Sequence, residues 1–184
     1  MSDDNKTDTQ NTPTDGATQP NPAIDPAMIP LVMHAQYIKD LSFENPNAPG
    51  SLLPGQSIPG TTVNVTLDSR KLEEMPGENT AYEVLLHIEA SATRKEDGKD
   101  AKVVFLVELD YAAVCSINKE VPERHHHPIL MIEVPKLIFP FARQILGEVT
   151  SQAGYPPLLL NPVDFEGMYR REYEAQQRAA AAGA

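Results

Sequence analysis

Five histidines, one cysteine and a surplus of carboxylates make up the reactive inventory of this chain. His125-His126-His127 is the densest run of metal-capable donors. Adjacent residues of a helix or strand point in different directions, so three consecutive imidazoles do not converge on one ion. No Asp, Glu or Cys repeats four residues on, and Pro128 follows directly. The run is therefore expected to be a solvated helix start, with no metal and no other cofactor. His34 and His87 fall on polar strand faces with no Ser, Cys or Asp at a nucleophilic spacing. Cys115 falls on an apolar face, as a buried structural thiol would. Gly50, Gly55, Gly60 and Gly77 are scattered among prolines and form no phosphate-binding loop. No catalytic residue is predicted, and the chain is expected not to be an enzyme.

Binding chemistry is what remains. Leu106 and Glu108 lie two residues apart, hence on one strand face, and Asp40 and Glu44 are the other carboxylates of interest. Two readings stand side by side: solvated strand-face charges, or a patch for a partner carrying Lys or Arg and an apolar anchor. The segment NPNAPGSLLPGQSIPG (45–60) reads as a loop from its Pro and Gly. Its Leu52, Leu53 and Ile58 suggest that it lies over something apolar.

Period-two alternation supplies the elements that must position these residues. Strand one runs from Met33 to Phe43, with Met33, Ala35, Tyr37, Lys39, Leu41 and Phe43 on one face. Lys39 interrupts that face and reads as an inward-pointing edge charge. Strand two (62–68) carries Val63, Val65 and Leu67 on its apolar side; strands three and four occupy 82–93 and 102–117. Glu96-Asp97-Gly98 is a turn signal between the last two, and the four strands suggest an antiparallel meander. The period lengthens after Pro135. Leu137, Ile138, Phe141, Ala142, Ile145, Leu146 and Val149 form a helical stripe that Gly154 should end, with Pro140 kinking it. A second helix is predicted from Asn161 as N-cap and Pro162 at N1. Strands first and helices last make the fold α+β, a four-stranded antiparallel sheet followed by C-terminal helices. Its apolar faces exceed what one copy can hide, which implies self-association or an open apolar surface.

Composition sets the outer limits. Of 184 residues 17 are Pro, none is Trp, and the net charge is −11. Residues 1–30 hold five aspartates against Lys6 and no aromatic, too little apolar surface to offset ordering entropy. They read as a disordered acidic, Pro-rich tail, residues 31–175 as the single folded domain, and 176–184 as a flexible Ala-rich tail. The folded part keeps about −7 of the −11, which argues against nucleic acid and for basic partners. No apolar run reaches about 18 residues, no signal peptide is visible and no disulfide is possible within the chain. A soluble protein of a reducing compartment is expected.

The blocks QYIKDLSFENPNAP (36–49), FLVEL (105–109) and VPKLIFPFARQILGEVTSQAGYPPLLLNPVDFEGMY (134–169) are similar to the SecB family of protein-export chaperones. The resemblance is collinear from about 33 to 173. It implies a cytoplasmic bacterial homotetramer, a dimer of dimers, that holds unfolded precursor proteins export-competent without ATP and delivers them to the translocase motor SecA. It also implies that Asp40, Glu44, Leu106 and Glu108 contact SecA. Val63, Val65, Leu67, Phe105 and Phe165 would line an apolar client groove under the loop after strand one. The other reading on the same fold is a SecB-like chaperone dedicated to another client, such as an antitoxin. The chain departs from the family pattern in its long N-terminal tail, its lack of Trp in the 50–60 loop, its PERHHHPILMIE segment and its Ala-rich end.

Overall fold

A computed structural model describes residues 30–73, 79–95 and 101–182. The N-terminal tail and the Glu96-Asp97-Gly98 turn expected above lie outside the described residues, apart from Pro30. Four strands form first: β1 (Leu31–Glu44), β2 (Gly60–Leu72), β3 (Thr80–Arg94) and β4 (Lys102–Ile117). They pair antiparallel in the order β1-β4-β3-β2. The expected meander therefore holds only for β2, β3 and β4. β1 lies beside β4, a Greek-key arrangement. This topology has a mechanical consequence. The 45–59 connection leaves one edge of the sheet and must cross its end to reach the opposite edge.

One sheet face carries Val84, Leu86, Ile88, Val107, Leu109, Ala113 and Cys115, all fully buried. Against it lies α1 (Val134–Gln152), whose buried face includes Ile138, Phe139, Ala142, Leu146 and Thr150. Pro135 stands in its first turn and Pro140 inside it, as the spacing predicts. Pro135 has no N–H for the carbonyl of Met131, and the turn before it, Ile129–Glu133, widens to a π-helix. Gly154, at φ 91°, ends the helix, with Tyr155 N–H donating to Thr150 O at 3.1 Å. The second helix, α2, is Phe165–Ala182. Its cap is Asp164 rather than Asn161: Asp164 Oδ1 accepts from Gly167 N–H at 2.9 Å, the third donor of the first turn. The Ala-rich end continues α2 to Ala182, in keeping with the helix propensity of alanine.

The alternation of β1 is corrected by two bulges, between Met33 and Ala35 and between Ile38 and Asp40. Each bulge inserts an unpaired residue, His34 and then Lys39, and flips the faces. Leu31, Met33, Leu41 and Phe43 face the helix, but so do Gln36 and Ile38, while Ala35 and Tyr37 turn to the other side. Lys39 does not point inward: it lies on the open face and pairs with Glu83 at 3.0 Å. The histidine run is corrected as well. His126 is buried, its Nε2–H donating to Val121 O at 2.9 Å while the Tyr82 hydroxyl bonds Nδ1 at 2.8 Å. His125 and His127 are exposed.

Candidate functional surfaces: an open acidic sheet face and an apolar groove

The face of the sheet turned away from α1 has no layer over it among the described residues. Register places its side chains in rows. Glu44 stands opposite Leu106 and beside it Ser91; Ser42 opposite Glu108 and beside it Glu89; Asp40 opposite Asp110 and beside it His87. The four residues singled out from sequence are thus gathered in three adjacent rows. Asp40, Glu44 and Glu108 are exposed and Leu106 is half-buried among them. Glu89 and Asp110 join the same acidic field, and His87 Nδ1–H donates to Asp110 Oδ1 at 2.5 Å. Asp110 follows Glu108 at the same spacing of two along β4, whereas Glu89 joins the field through the pairing of β3 with β4.

Beneath this field one carboxylate is buried. Glu83 is 4 % exposed and accepts from Lys39 Nζ at 3.0 Å, from Arg70 Nε at 2.5 Å and from the Tyr37 hydroxyl. The donors come from both edge strands, so Glu83 ties β1 and β2 to β3. Ala112 of β4, which lies between Tyr37 and Leu85 in register, is small and fully buried. Burial alone would push the Glu83 carboxyl up, but the hydrogen bonds from Tyr37, Arg70 and Lys39 outweigh it and hold the group at about 2. The same hydrogen bond raises the Tyr37 hydroxyl, helped by burial. Glu83 is the residue that sequence reading missed. Its position on a polar strand face gives no sign of burial.

The second surface is built where the 45–59 connection crosses the sheet end. Asn47 Nδ2 donates to Val103 O, at the start of β4, at 2.7 Å. The Tyr155 hydroxyl donates to Asn45 Oδ1 at 2.8 Å, with Ser51 Oγ 2.8 Å away. Leu52 packs on Gly154, where an added Cβ would come within 3.3 Å of its Cδ2. Under this arch Phe105 lies between Phe43 and Tyr155, ring centroids 5.6 and 5.1 Å apart. The arch and the Gly154–Leu159 segment enclose a cavity of about 450 Å³ that Phe105 lines. Around it Leu53, Ile58 and Leu159 are 60 %, 94 % and 63 % exposed, an unusual concentration of large aliphatics in water.

A smaller cavity of about 220 Å³ follows along the β2 edge, lined by Val65, Leu67, Met131 and Met168. Val63 lies exposed on the same face of β2 between the two. Of the five residues expected in a groove, Phe105 lines the larger cavity and Val65 and Leu67 the smaller, while Val63 and Phe165 line neither; Phe165 is 2 % exposed and packed edge-on to Phe139 in the core.

Among the described residues no three His, Cys, Asp or Glu side chains are grouped as a metal site. Cys115 is fully buried, and burial pushes its thiol up to about 11. No described helix is long and apolar enough to cross a membrane.

One open, charged surface and one recessed, apolar surface are thus carried on an α+β fold of one sheet and the helices against it. The comparison with known proteins then gives the family. The chain belongs to the SecB family: the family described as preprotein translocase subunit SecB matches residues 25–177. Among its relatives, the protein-export protein SecB of Maricaulis maris is 44 % identical over 177 residues, covering 96 % of this chain and 92 % of the relative. That of Rhodospirillum centenum is 44 % identical over 144 residues, 78 % of this chain and 80 % of the relative. A solved Mycobacterium tuberculosis SecB-like chaperone, in complex with a ChAD peptide from the HigA1 antitoxin, shares the fold. Its TM-score is 0.53 at 15 % identity, over 73 % of this chain and 91 % of that one.

Proposed function

We propose that this protein is an ATP-independent export chaperone: it holds unfolded precursor proteins in an export-competent state and delivers them to SecA in the bacterial cytoplasm. The observation that carries the reading is an apolar groove with exposed aliphatics and few polar demands, in a chain 44 % identical to protein-export SecB relatives over almost its whole length. A groove of this kind accepts many sequences, because it fixes shape and apolarity rather than a hydrogen-bond pattern. Phe105, Val63, Val65 and Leu67 form its client-facing surface, and Phe165 supports that wall from the core. Asp40, Glu44, Leu106 and Glu108 form the SecA contact on the open face. Their exposure, shared face and charge suit a basic partner with an apolar anchor.

Assembly as a dimer of dimers is supported by a third surface. Leu137 and Phe141 on α1 are 50 % and 48 % exposed, and Ile38 on the β1 edge is 47 % exposed. Several copies in one particle would offer several grooves to one long client, with a gain in avidity. Dedication to an antitoxin is not favoured, because the similarity to the antitoxin-bound chaperone is confined to fold.

Purified protein should scatter light as about four times 20.2 kDa and slow the refolding of an export precursor without nucleotide. A monomer would overturn the assembly, and unchanged refolding would overturn the holding activity.

A further inference from the structure

The acidic rows of the open face carry Asp40, Glu44, Glu89, Glu108 and Asp110, yet two cations share that face. Lys39 and Arg70 both end on Glu83 Oε2, at 3.0 and 2.5 Å. Lys39 is the one that bears on the rows, because of the bulge between Ile38 and Asp40. The inserted residue breaks the alternation, so Lys39 and Asp40 are consecutive in sequence and lie on the same side of β1. A lysine ammonium is a compact point charge on a flexible four-carbon stem. With 40 % of its side chain exposed, Lys39 has room to turn toward either of two carboxylates, the buried Glu83 or the exposed Asp40.

Those carboxylates lie in opposite directions along the sheet. His87 stands in the Asp40 row, and Glu83 is four residues from it on β3, about 13 Å at the rise of a strand. Tyr37, Ala112 and Leu85 fill the row between. The Debye length is about 8 Å at 0.15 M salt, so a shift of the ammonium toward Glu83 decides how much of its charge the acidic rows feel. Turned onto Asp40, it would cancel a charge that a basic partner meets. Arg70 is differently placed: it shares its face of β2 with Asp68, outside the acidic rows. We infer that Glu83 is a positioning residue of the acidic surface: it draws the Lys39 ammonium away from Asp40 and so leaves the rows uncompensated for a basic partner. The inference rests on the reading of this face as the SecA contact. Glu83 is 4 % exposed and acts through Lys39. Without its charge, Lys39 swings to Asp40 and competes there with the partner's cation from within the chain.

The test is surface plasmon resonance of the full-length protein with SecA at 0.15 M salt. Glu83→Gln should weaken SecA binding about fivefold, the upper range for an exposed ion pair. Adding Lys39→Met to it should bring the affinity back to within about twofold of wild type. Lys39→Met alone should also bind within about twofold of wild type, because the ammonium it removes is already drawn off. A purely structural role predicts otherwise: losing a second member of the network does not rebuild the face, and the double variant stays weak. Wild-type affinity in Glu83→Gln, no rescue in the double variant, or clearly tighter binding by Lys39→Met alone each overturns the inference. If Glu83→Gln does not fold, Glu83→Asp keeps the charge and draws the carboxylate back by one methylene. It should then weaken binding less, about twofold, and be restored by Lys39→Met; no loss, or no restoration, overturns the inference as well. Glu108→Lys is the control on the reading. If it binds SecA as wild type does, the acidic face is not the contact and the inference falls with it. A weakened Glu108→Lys beside an unaffected Glu83→Gln overturns the inference alone.

Discussion

The two faces of this molecule are exposed for opposite reasons. The open face is a set of charges on paired strands, and its geometry is rigid because Glu83 ties both edge strands to the middle of the sheet. The groove is a set of apolar side chains on a loop that crosses the sheet end, held by the Tyr155 network and by Arg94 Nε donating to Ser57 O. A charged surface costs nothing to leave in water. An apolar one does, by roughly 1.5–3 kcal/mol per large aliphatic side chain. Under the proposed function the difference matches two kinds of partner: a folded one that docks on a fixed pattern, and an unfolded one whose own apolar surface is the other half of the groove.

The largest effect should follow from removing what makes the acidic face rigid. Glu83→Gln withdraws the charge that Lys39 and Arg70 share and should lower unfolding free energy by about 3 kcal/mol in urea titrations at fixed protein concentration. The sign with pH follows from the depressed carboxyl. With the folded group at about 2 and the unfolded one near 4.5, its contribution is complete above 4.5 and is lost as pH falls toward 2. The gap between wild type and Glu83→Gln should therefore close over that window. Amide exchange should rise along β1 and β2 and not in the arch. A gap independent of pH would mean that the variant acts by packing and not through the charge.

The next pair of substitutions sets the faces against each other. Glu108→Lys should weaken SecA binding about tenfold at low salt and leave client holding intact. Ile58→Asp should weaken peptide binding about tenfold, leave SecA binding intact and change stability by less than about 0.5 kcal/mol, since Ile58 is 94 % exposed. Surface plasmon resonance with SecA and anisotropy with an apolar peptide, run on both variants, read the four outcomes. If either variant moved both affinities, the faces would be coupled and not independent.

How far these faces can be read from sequence follows the same division. The acidic field is largely legible, because strand alternation puts Leu106 and Glu108 on one face and the family blocks carry Asp40 and Glu44. Asp110 follows from the same alternation, and Glu89 becomes visible only through the pairing of β3 with β4. The bulges at His34 and Lys39 escape period-two reading, since one inserted residue inverts a strand without changing its composition. The groove is less legible still. The arch reads as a loop from its Pro and Gly. What it crosses depends on β1 lying beside β4, a long-range pairing that local spacing does not encode. Arg94, Tyr155 and Asn45 acquire roles only once that crossing is made. His126 is hidden for a related reason: its partner, Tyr82, is 44 residues away.

The smallest effect expected is also the one that isolates the arch from the sheet. Tyr155 bonds Asn45 Oδ1 and approaches Ser51 Oγ through its hydroxyl, while its ring packs on Phe105. Tyr155→Phe keeps the ring and deletes only the hydroxyl. Asn45 Oδ1 is not orphaned, because Ser51 Oγ also reaches it at 3.1 Å. The loss should then be that of one net hydrogen bond, about 1 kcal/mol, not of a buried unpaired acceptor. Because the base of the arch is loosened while its tip stays clasped by Arg94, amide exchange should rise at 45–53 more than at 56–58. Peptide affinity should change by less than about threefold, since the walls of the cavity are the same side chains. SecA affinity should not change at all, because no atom of the network lies on the acidic rows. Hydrogen exchange and the two binding assays on this one variant measure how independent the faces are at the finest grain: a drop in SecA affinity would show that the arch transmits strain through β4.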